Sequence, residues 1–418
     1  MKSDLDNLMK THHLEAILVL GDAENNPPMY YLTGGGHVSG AILIKKTGEG
    51  PVLYYKDMER EEAAKTGLTT RSMSNYLKEE YYKDAKGDQS LVEAMCLANI
   101  LSEITLKGRV GIYGKVELSS ALAKFNHLRR LAPEVEWVAE SALDSVFLRA
   151  METKDTYEVD RIRRMGKITT EVVGLVAAYL TDCKVSEGEL LLNDDGTPLT
   201  IRDVKGKINL WLAERGAVLP EDVIFAIGRD AGIPHSVGNP EDVITLGKTI
   251  VFDIFPAEQG GGYYYDFTRT WCLGYAPKEA QELYDQVNEI YEKVRDNFDL
   301  NAPFSTYQKL TCEYFESKGH KSLLNTSAPL DGYVHTLGHG VGINIHERPF
   351  SRLAIGDDHR LVPGVVVTLE PGLYYPAKGM GVRIEDTYWF RPDGRIEILA
   401  EYPYDFVLEM KHWHKKTT

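Results

Sequence analysis

An aspartate inside an apolar β-strand restricts this chain more than any other feature, because a carboxylate taken out of water without a partner costs several kcal/mol or gives up its charge. The stretch TIVFDIFPAEQGGGYYYDFTRTW, Thr249 to Trp271, reads as an interior hairpin with one such acid on each arm, Asp253 and Asp266. The pattern returns in VVVTLEPGLYYPAKGMGVRIEDTYW, Val365 to Trp389, which again runs apolar strand, acid, Pro, Gly-containing turn, second strand, acid, Thr and Trp. Its acids, Glu370 and Glu385, are fifteen apart where the first pair is thirteen apart. Two hairpins of one design point to duplicated halves facing each other across a pseudo-twofold axis. A single strand acid is ordinarily satisfied by a neighbouring arginine. Four acids directed into one pocket cannot all stay ionised unless cations neutralise them, and two divalent ions balance four charges.

Carboxylate oxygens with one imidazole suit Mn²⁺, Fe²⁺, Co²⁺ or Zn²⁺. The segment YVHTLGHGVGINIHERP, Tyr333 to Pro349, supplies His335, His339 and His346. Gly338, Gly340 and Gly342 argue against a helix there, so the paired-histidine geometry of HExxH sites is not expected. Glycines flanking His339 suit an extended segment whose backbone passes close to a ligand. His235, in the Gly/Pro-rich loop GIPHSVGNP, is a further candidate. One histidine alone is ordinarily a hydrogen-bonded structural residue; three within twelve positions, between two carboxylate hairpins, carry more weight.

The rest of the chain frames this region. At 418 residues it is long for one core. Residues 14 to about 140 alternate short apolar strands (AILVL, GAILI, PVLYY, GRVGIYG, VEWVAE) with helical patterns (SLVEAMCLANILSEI, LSSALAKFNHLRRL), the reading of a small α/β domain. The glycines of YLTGGG follow what reads as a strand, and without GxGxxG or GKS/T they mark a tight turn rather than a phosphate loop. A long helix is expected from KDTYEV onward, with Asp155 and Glu158 as its capping box. The chain therefore divides into residues 1–145 and 146–418. Further helices are expected after Pro277, with Leu283, Val287, Ile290 and Val294 inward, and from about Thr306 to Gly319, while NDDGTPLT is a solvated turn.

A net charge of −15 disfavours nucleic acid and anionic membranes as partners. Four scattered cysteines make neither a zinc knuckle nor a disulfide framework. The N-terminal apolar run is shorter than a signal-peptide core, and no stretch approaches the roughly 18 apolar residues of a membrane span. The expected compartment is the cytoplasm.

The order Asp253, Asp266, His339, Glu370, Glu385, in the words VFDIFP, YYYDFTRT, HTLGHGVGINIHE, TLEPGLY and VRIEDT, resembles the five-ligand dinuclear site of the pita-bread metallopeptidases, the group of methionine aminopeptidase, prolidase and aminopeptidase P. The likeness spans about 151–410. Residues 1–140, including MYYLTGG, are similar to the smaller domain that precedes the catalytic one in prolidases, aminopeptidase P and creatinase and is absent from methionine aminopeptidases. The resemblance implies an α+β pita-bread catalytic domain with pseudo-twofold halves, preceded by a smaller α/β creatinase-type domain. It also implies a homodimer and two divalent ions, Mn²⁺ ahead of Co²⁺, Zn²⁺ or Fe²⁺. Asp253 would chelate one ion, Asp266 and Glu385 would bridge both, and His339 with Glu370 would complete the second, with a bridging hydroxide as nucleophile.

By the same likeness Glu370 exchanges a proton with the attacking water and the leaving nitrogen, and His235 and His346 hydrogen-bond the substrate carbonyl or oxyanion. Arg383 orients the carboxylates and His335 stands just outside the ligands on the substrate side. The implied substrate is a small peptide with proline at its second position, Tyr374 lining the proline pocket. Some prolidases carry an arginine four residues past the His346 equivalent to hold the substrate carboxylate; that position here is Phe350, leaving Arg348 and Arg352 as candidates. Two alternatives stand beside an Xaa-Pro peptidase: a metal-free creatinase-like C–N hydrolase and a non-catalytic pita-bread binding protein. The presence of all five ligand residues weighs against both.

Overall fold

Short β-branched runs separated by turn residues build the first sheet. Its strands are β1 (Ala16–Gly21), β2 (Ala41–Lys46), β3 (Val52–Tyr55), β4 (Thr69–Ser72), β5 (Gly108–Lys115) and β6 (Val135–Val138), in the order β4-β3-β2-β1-β5-β6. Strand β1 runs antiparallel to β2 and parallel to β5. The helices Gln89–Glu103 and Leu118–Leu131 contribute Leu97, Ile100, Leu101 and Leu128 to a core shared with Ala16, Leu18, Ile44 and Tyr54. One expectation fails here. No strand precedes the glycines of YLTGGG: PPMYYLT is a helix, Pro27–Thr33, ended by Gly34 in the left-handed conformation at φ 78°. Pro27 and Pro28 were the signal, since proline in a first helical turn forfeits no hydrogen bond.

The computed structural model describes residues 4–141, 143–354 and 356–413, and the chain divides into one unit of residues 1–151 with 260–262 and another of 152–259 with 263–418. The second unit opens with the expected long helix, Thr156–Asp182. In its capping box the Glu158 backbone N–H donates to the Asp155 carboxylate and the Asp155 N–H to the Glu158 carboxylate, each at 2.9 Å. Helix Lys278–Asp296 buries Leu283, Val287, Ile290 and Val294 in one core with Val365, Val367, Leu369, Val382 and Phe390. Helix Phe304–Ser317 adds Phe304, Tyr307 and Phe315 to it. Among the described residues no helix is long and apolar enough to cross a membrane.

Around these helices run β7 (Ile224–Ile227), β8 (Thr249–Ile254), β9 (Phe267–Leu273), β10 (His339–Gly340), β11 (Glu347–Phe350), β12 (Val366–Leu369), β13 (Gly372–Tyr375), β14 (Met380–Arg383), β15 (Asp386–Phe390) and β16 (Ile396–Ile398). One sheet contains β7-β8-β9 with Val407–Leu408 at its edge; another runs β11-β10-β12-β15-β16; β13 and β14 pair with each other. The hairpins are more broken than the sequence reading of an acid in the middle of each arm. Only Asp253 lies inside a strand, opposite Thr268 of β9. Asp266 comes just before β9, Glu370 just after β12 and Glu385 just before β15, and the second repeat is two nested hairpins, β13–β14 within β12–β15. Leaving the ladder frees these side chains from the strict alternation of a strand, so they can turn toward one point. An antiparallel bridge between Thr268 and Glu385 joins the two repeats there.

A buried ion pair fixes the segment that carries His346. Lys154 Nζ lies 2.8 Å from Glu347 Oε2, with the two side chains 1% and 0% exposed, and Glu347 Oε1 accepts from the Asn344 backbone N–H at 2.9 Å. Removing one partner strands a charge in the interior. Lys154→Met is expected to lower the unfolding free energy of this unit by about 3–5 kcal/mol, most of it regained in the double variant Lys154→Met/Glu347→Gln. Urea titration followed by tryptophan fluorescence reads both; equal midpoints for the single variant and the parent would show that the pair contributes nothing.

Candidate metal centre

Each strand break delivers one carboxylate to a common point, and β10 brings His339 to face them. His339 Nε2 lies 3.6 Å from Asp266 Oδ2 and 3.4 Å from Glu370 Oε1. Ligand atoms of Asp266, His339 and Glu385 all lie within 4.8 Å of one another. The backbone here leaves no room for side chains: a Cβ on Gly340 would sit 2.0 Å from the Arg348 carbonyl oxygen, which is why glycine follows His339. His339 Nδ1 is 3.1 Å from the Gly340 carbonyl. A carbonyl can only accept, so Nδ1 carries the proton and the Nε2 lone pair faces the acids, the tautomer a metal-binding imidazole needs.

One guanidinium reaches this group. Arg383, 2% exposed, donates from Nη2 to Asp253 Oδ2, from Nε to Thr268 Oγ1 at 3.2 Å, and from Nη1 to the Tyr374 hydroxyl at 2.8 Å. Thr268 Oγ1 in turn donates to Glu385 Oε2 at 2.7 Å. Among the described residues Arg383 is the only Lys or Arg in an ion pair with any of the four acids. Burial, with Asp253 and Glu370 alongside, holds the Asp266 carboxyl well above the usual carboxylate range, and burial with Asp266 nearby does the same to Glu385. Burial pushes Glu370 up to about 8, with Arg383 pulling the other way. His339 and His335 are brought down to about 3 by burial, so both are neutral at neutral pH.

Two oxygens of the set, Asp253 Oδ1 and Glu385 Oε1, are buried without a hydrogen-bond partner. Orphaned carboxylate oxygens beside a neutral imidazole, in a group with one positive charge for four acids, are short of cations, and oxygen donors with one nitrogen fit divalent metal ions.

The remaining sequence candidates fall into two groups. His346 packs edge-on against His339 with ring centroids 4.4 Å apart, and the exposed His235 is close enough to bear electrostatically on both His335 and His346. Arg352 is exposed and also acts on His346. Two candidates are buried and already bonded. Tyr374 is 1% exposed, and its hydroxyl accepts from Arg383 and donates to His335 Nε2 at 2.8 Å. Arg348, also 1% exposed, is committed to Glu152 at 3.3 Å, Asp358 at 3.1 Å and His359 at 2.8 Å, and is not available to a substrate carboxylate.

Three threonines escaped the sequence reading. Thr268 holds Glu385; Thr368 accepts the His339 backbone N–H at 3.1 Å and bonds Glu370; Thr387 donates to the Asp266 carbonyl at 2.8 Å. Each stands two positions from one of the acids, a D-x-T, T-x-E or E-x-T spacing that was there to be found.

A model of the metallopeptidase family M24 matches residues 160–392, and one of the creatinase/prolidase N-terminal domain matches residues 2–145. The chain is 25% identical over 388 residues to a protein named Xaa-Pro dipeptidase from Pyrococcus horikoshii, covering 92% of this chain and 93% of that one. Among solved structures it superposes on the Xaa-Pro dipeptidase from Bacillus anthracis with TM-score 0.74 at 20% identity, covering 97% of this chain and 98% of that one. The X-Pro aminopeptidase from Thermotoga maritima gives TM-score 0.72 at 19% identity, covering 97% and 99%. The fold is thus a creatinase-type domain followed by a pita-bread domain, and with more than half its length matched by that model the chain belongs to metallopeptidase family M24.

Proposed function

We propose that this protein is a metal-dependent Xaa-Pro peptidase, hydrolysing the bond between an N-terminal residue and proline. The observation that carries the reading is the gathering of Asp266, Glu370 and Glu385 at His339, with Asp253 close enough to bear on Asp266 and paired to Arg383, their one guanidinium among the described residues. The substrate class is supported by the relatives, named for Xaa-Pro dipeptidase or aminopeptidase. An amide before proline has no N–H and a fixed ring, so peptidases that grip the backbone N–H handle it poorly. On this reading Asp253, Asp266, His339, Glu370 and Glu385 hold two divalent ions, which when bound polarise the scissile carbonyl and acidify water. Arg383 keeps one Asp253 oxygen occupied so that the other points inward. Glu370, at the edge of the set, takes a proton from the attacking water on a carboxylate oxygen and returns it to the proline nitrogen. His346 and His235 donate to the carbonyl oxygen as charge develops on it. Mn²⁺ is the first ion to try, the working form a homodimer, the compartment the cytoplasm, and residues 1–145 and 146–418 the two functional parts; these rest on likeness and composition.

With Arg348 committed elsewhere, Arg352 is the cation left to hold the carboxylate of a dipeptide. The purified chain with Mn²⁺ is expected to hydrolyse Ala-Pro. Arg352→Ala should raise KM for Ala-Pro by about tenfold, the value of one charge-assisted hydrogen bond, and leave KM for Ala-Pro-Ala within about twofold. Equal effects on both peptides would remove Arg352 from the substrate site, and cleavage of neither peptide by the parent would sink the Xaa-Pro reading.

A further inference from the structure

We propose that Arg269 is a positioning residue for the metal centre, acting with Asp386 to hold the junction where Thr268 meets Glu385. Arg269 lies in β9 and is 1% exposed, and all five of its N–H groups are spent. Nη1 donates to the Thr268 carbonyl at 3.0 Å and to the Glu385 carbonyl at 2.9 Å. Nη2 donates to Asp386 Oδ1 at 2.9 Å and the Tyr402 carbonyl at 3.0 Å, and Nε to the Pro403 carbonyl at 2.9 Å. Its planar head lies 4.3 Å from the centroids of both the Phe267 and Tyr404 rings. The two carbonyls it clamps are the same two that the bridging backbone N–H groups use, Glu385 N–H to Thr268 at 3.0 Å and Thr268 N–H to Glu385 at 3.4 Å.

One nitrogen therefore seals the contact between the two repeats at the residue that offers a buried, partnerless oxygen to the site. Asp386 fixes the guanidinium from behind. Its second oxygen accepts from the hydroxyls of Tyr291 and, at 2.8 Å, Tyr404, so the carboxylate is held at both oxygens, away from the neighbouring acids. Asp386 is adjacent in sequence to Glu385 yet faces the other way, as alternation along an extended chain requires. The pair thus sets the direction of the Glu385 and Thr268 side chains without touching an ion or substrate. A lysine would keep the charge but not the planar fork that reaches five acceptors.

This inference rests on the metal-centre reading above, and its test separates the two. Co²⁺ is titrated into the chelated full-length chain well below its unfolding temperature, followed by calorimetry and visible absorption, with Ala-Pro turnover as a further readout. Arg269→Lys, folded by circular dichroism, is expected to bind Co²⁺ about 10–100-fold more weakly with altered absorption bands. Its kcat should fall by a similar factor with KM within about threefold. A folded variant that melts earlier but titrates and absorbs like the parent would make Arg269 merely structural and overturn the proposal. Should Arg269→Lys not fold, Asp386→Asn, which keeps the side-chain shape and Arg269 itself, is expected to lose about tenfold in Co²⁺ affinity, and an unchanged titration overturns the proposal equally. A parent that takes up no Co²⁺ refutes the metal centre rather than the positioning role.

Discussion

Glu385→Gln will leave the chain folded and lower Ala-Pro turnover by about a thousandfold, since one charge about 4 Å from a bound ion is worth ~4 kcal/mol at the effective dielectric of a protein and each 1.36 kcal/mol is about tenfold. The amide keeps the shape and the contact with Thr268, so the loss is electrostatic. Stability should move the other way. In the chelated protein Glu370 is raised from the ordinary 4.5 to about 8 by burial, and Glu385 is raised in the same sense. A group raised in the folded state contributes stability that is complete below its unfolded value and lost as pH climbs through the folded one. The chelated parent should therefore weaken between about pH 4.5 and 8, while chelated Glu385→Gln, with one acid fewer to crowd, weakens less and unfolds at higher urea near the upper end. A variant that turns over Ala-Pro at close to the parental rate would remove Glu385 from the centre.

Exhaustive chelation will abolish hydrolysis, and Mn²⁺ or Co²⁺ will restore it at a stoichiometry of about two ions per chain. Loading should also stabilise the fold. An ion at a hundred times its dissociation constant adds about 2.7 kcal/mol, so the melting temperature should rise with metal concentration in the parent and rise less in Glu385→Gln. Full activity in the presence of EDTA, with no metal by elemental analysis, would favour the creatinase-like alternative.

The gathering of Asp266, Glu370 and Glu385 around His339 was legible because these residues are anomalies: acids embedded in apolar runs, and a histidine crowded by glycines, announce a compensating partner before any coordinates exist. Direction was not legible. Arg348 and Arg352 are four positions apart and equally basic, yet one is packed among Glu152, Asp358 and His359 and the other is exposed, a difference set by residues distant in sequence. The partners of the Tyr374 hydroxyl, Arg383 and His335, were hidden for the same reason. Arg269 passed unnoticed because four of its five acceptors are backbone carbonyls, which no sequence pattern records. The missed helix at Pro27 was a different failure, a start signal present and overlooked.

The meeting of Thr268 with Glu385, 117 residues apart, makes hydrolytic competence a late event in the life of the chain. Contacts so distant form only after the intervening segment has closed its loop at an entropic cost. A polypeptide that stops short of the second repeat holds Asp253 and Asp266 but neither Glu370 nor Glu385. The proposed centre is therefore complete only once both repeats have met.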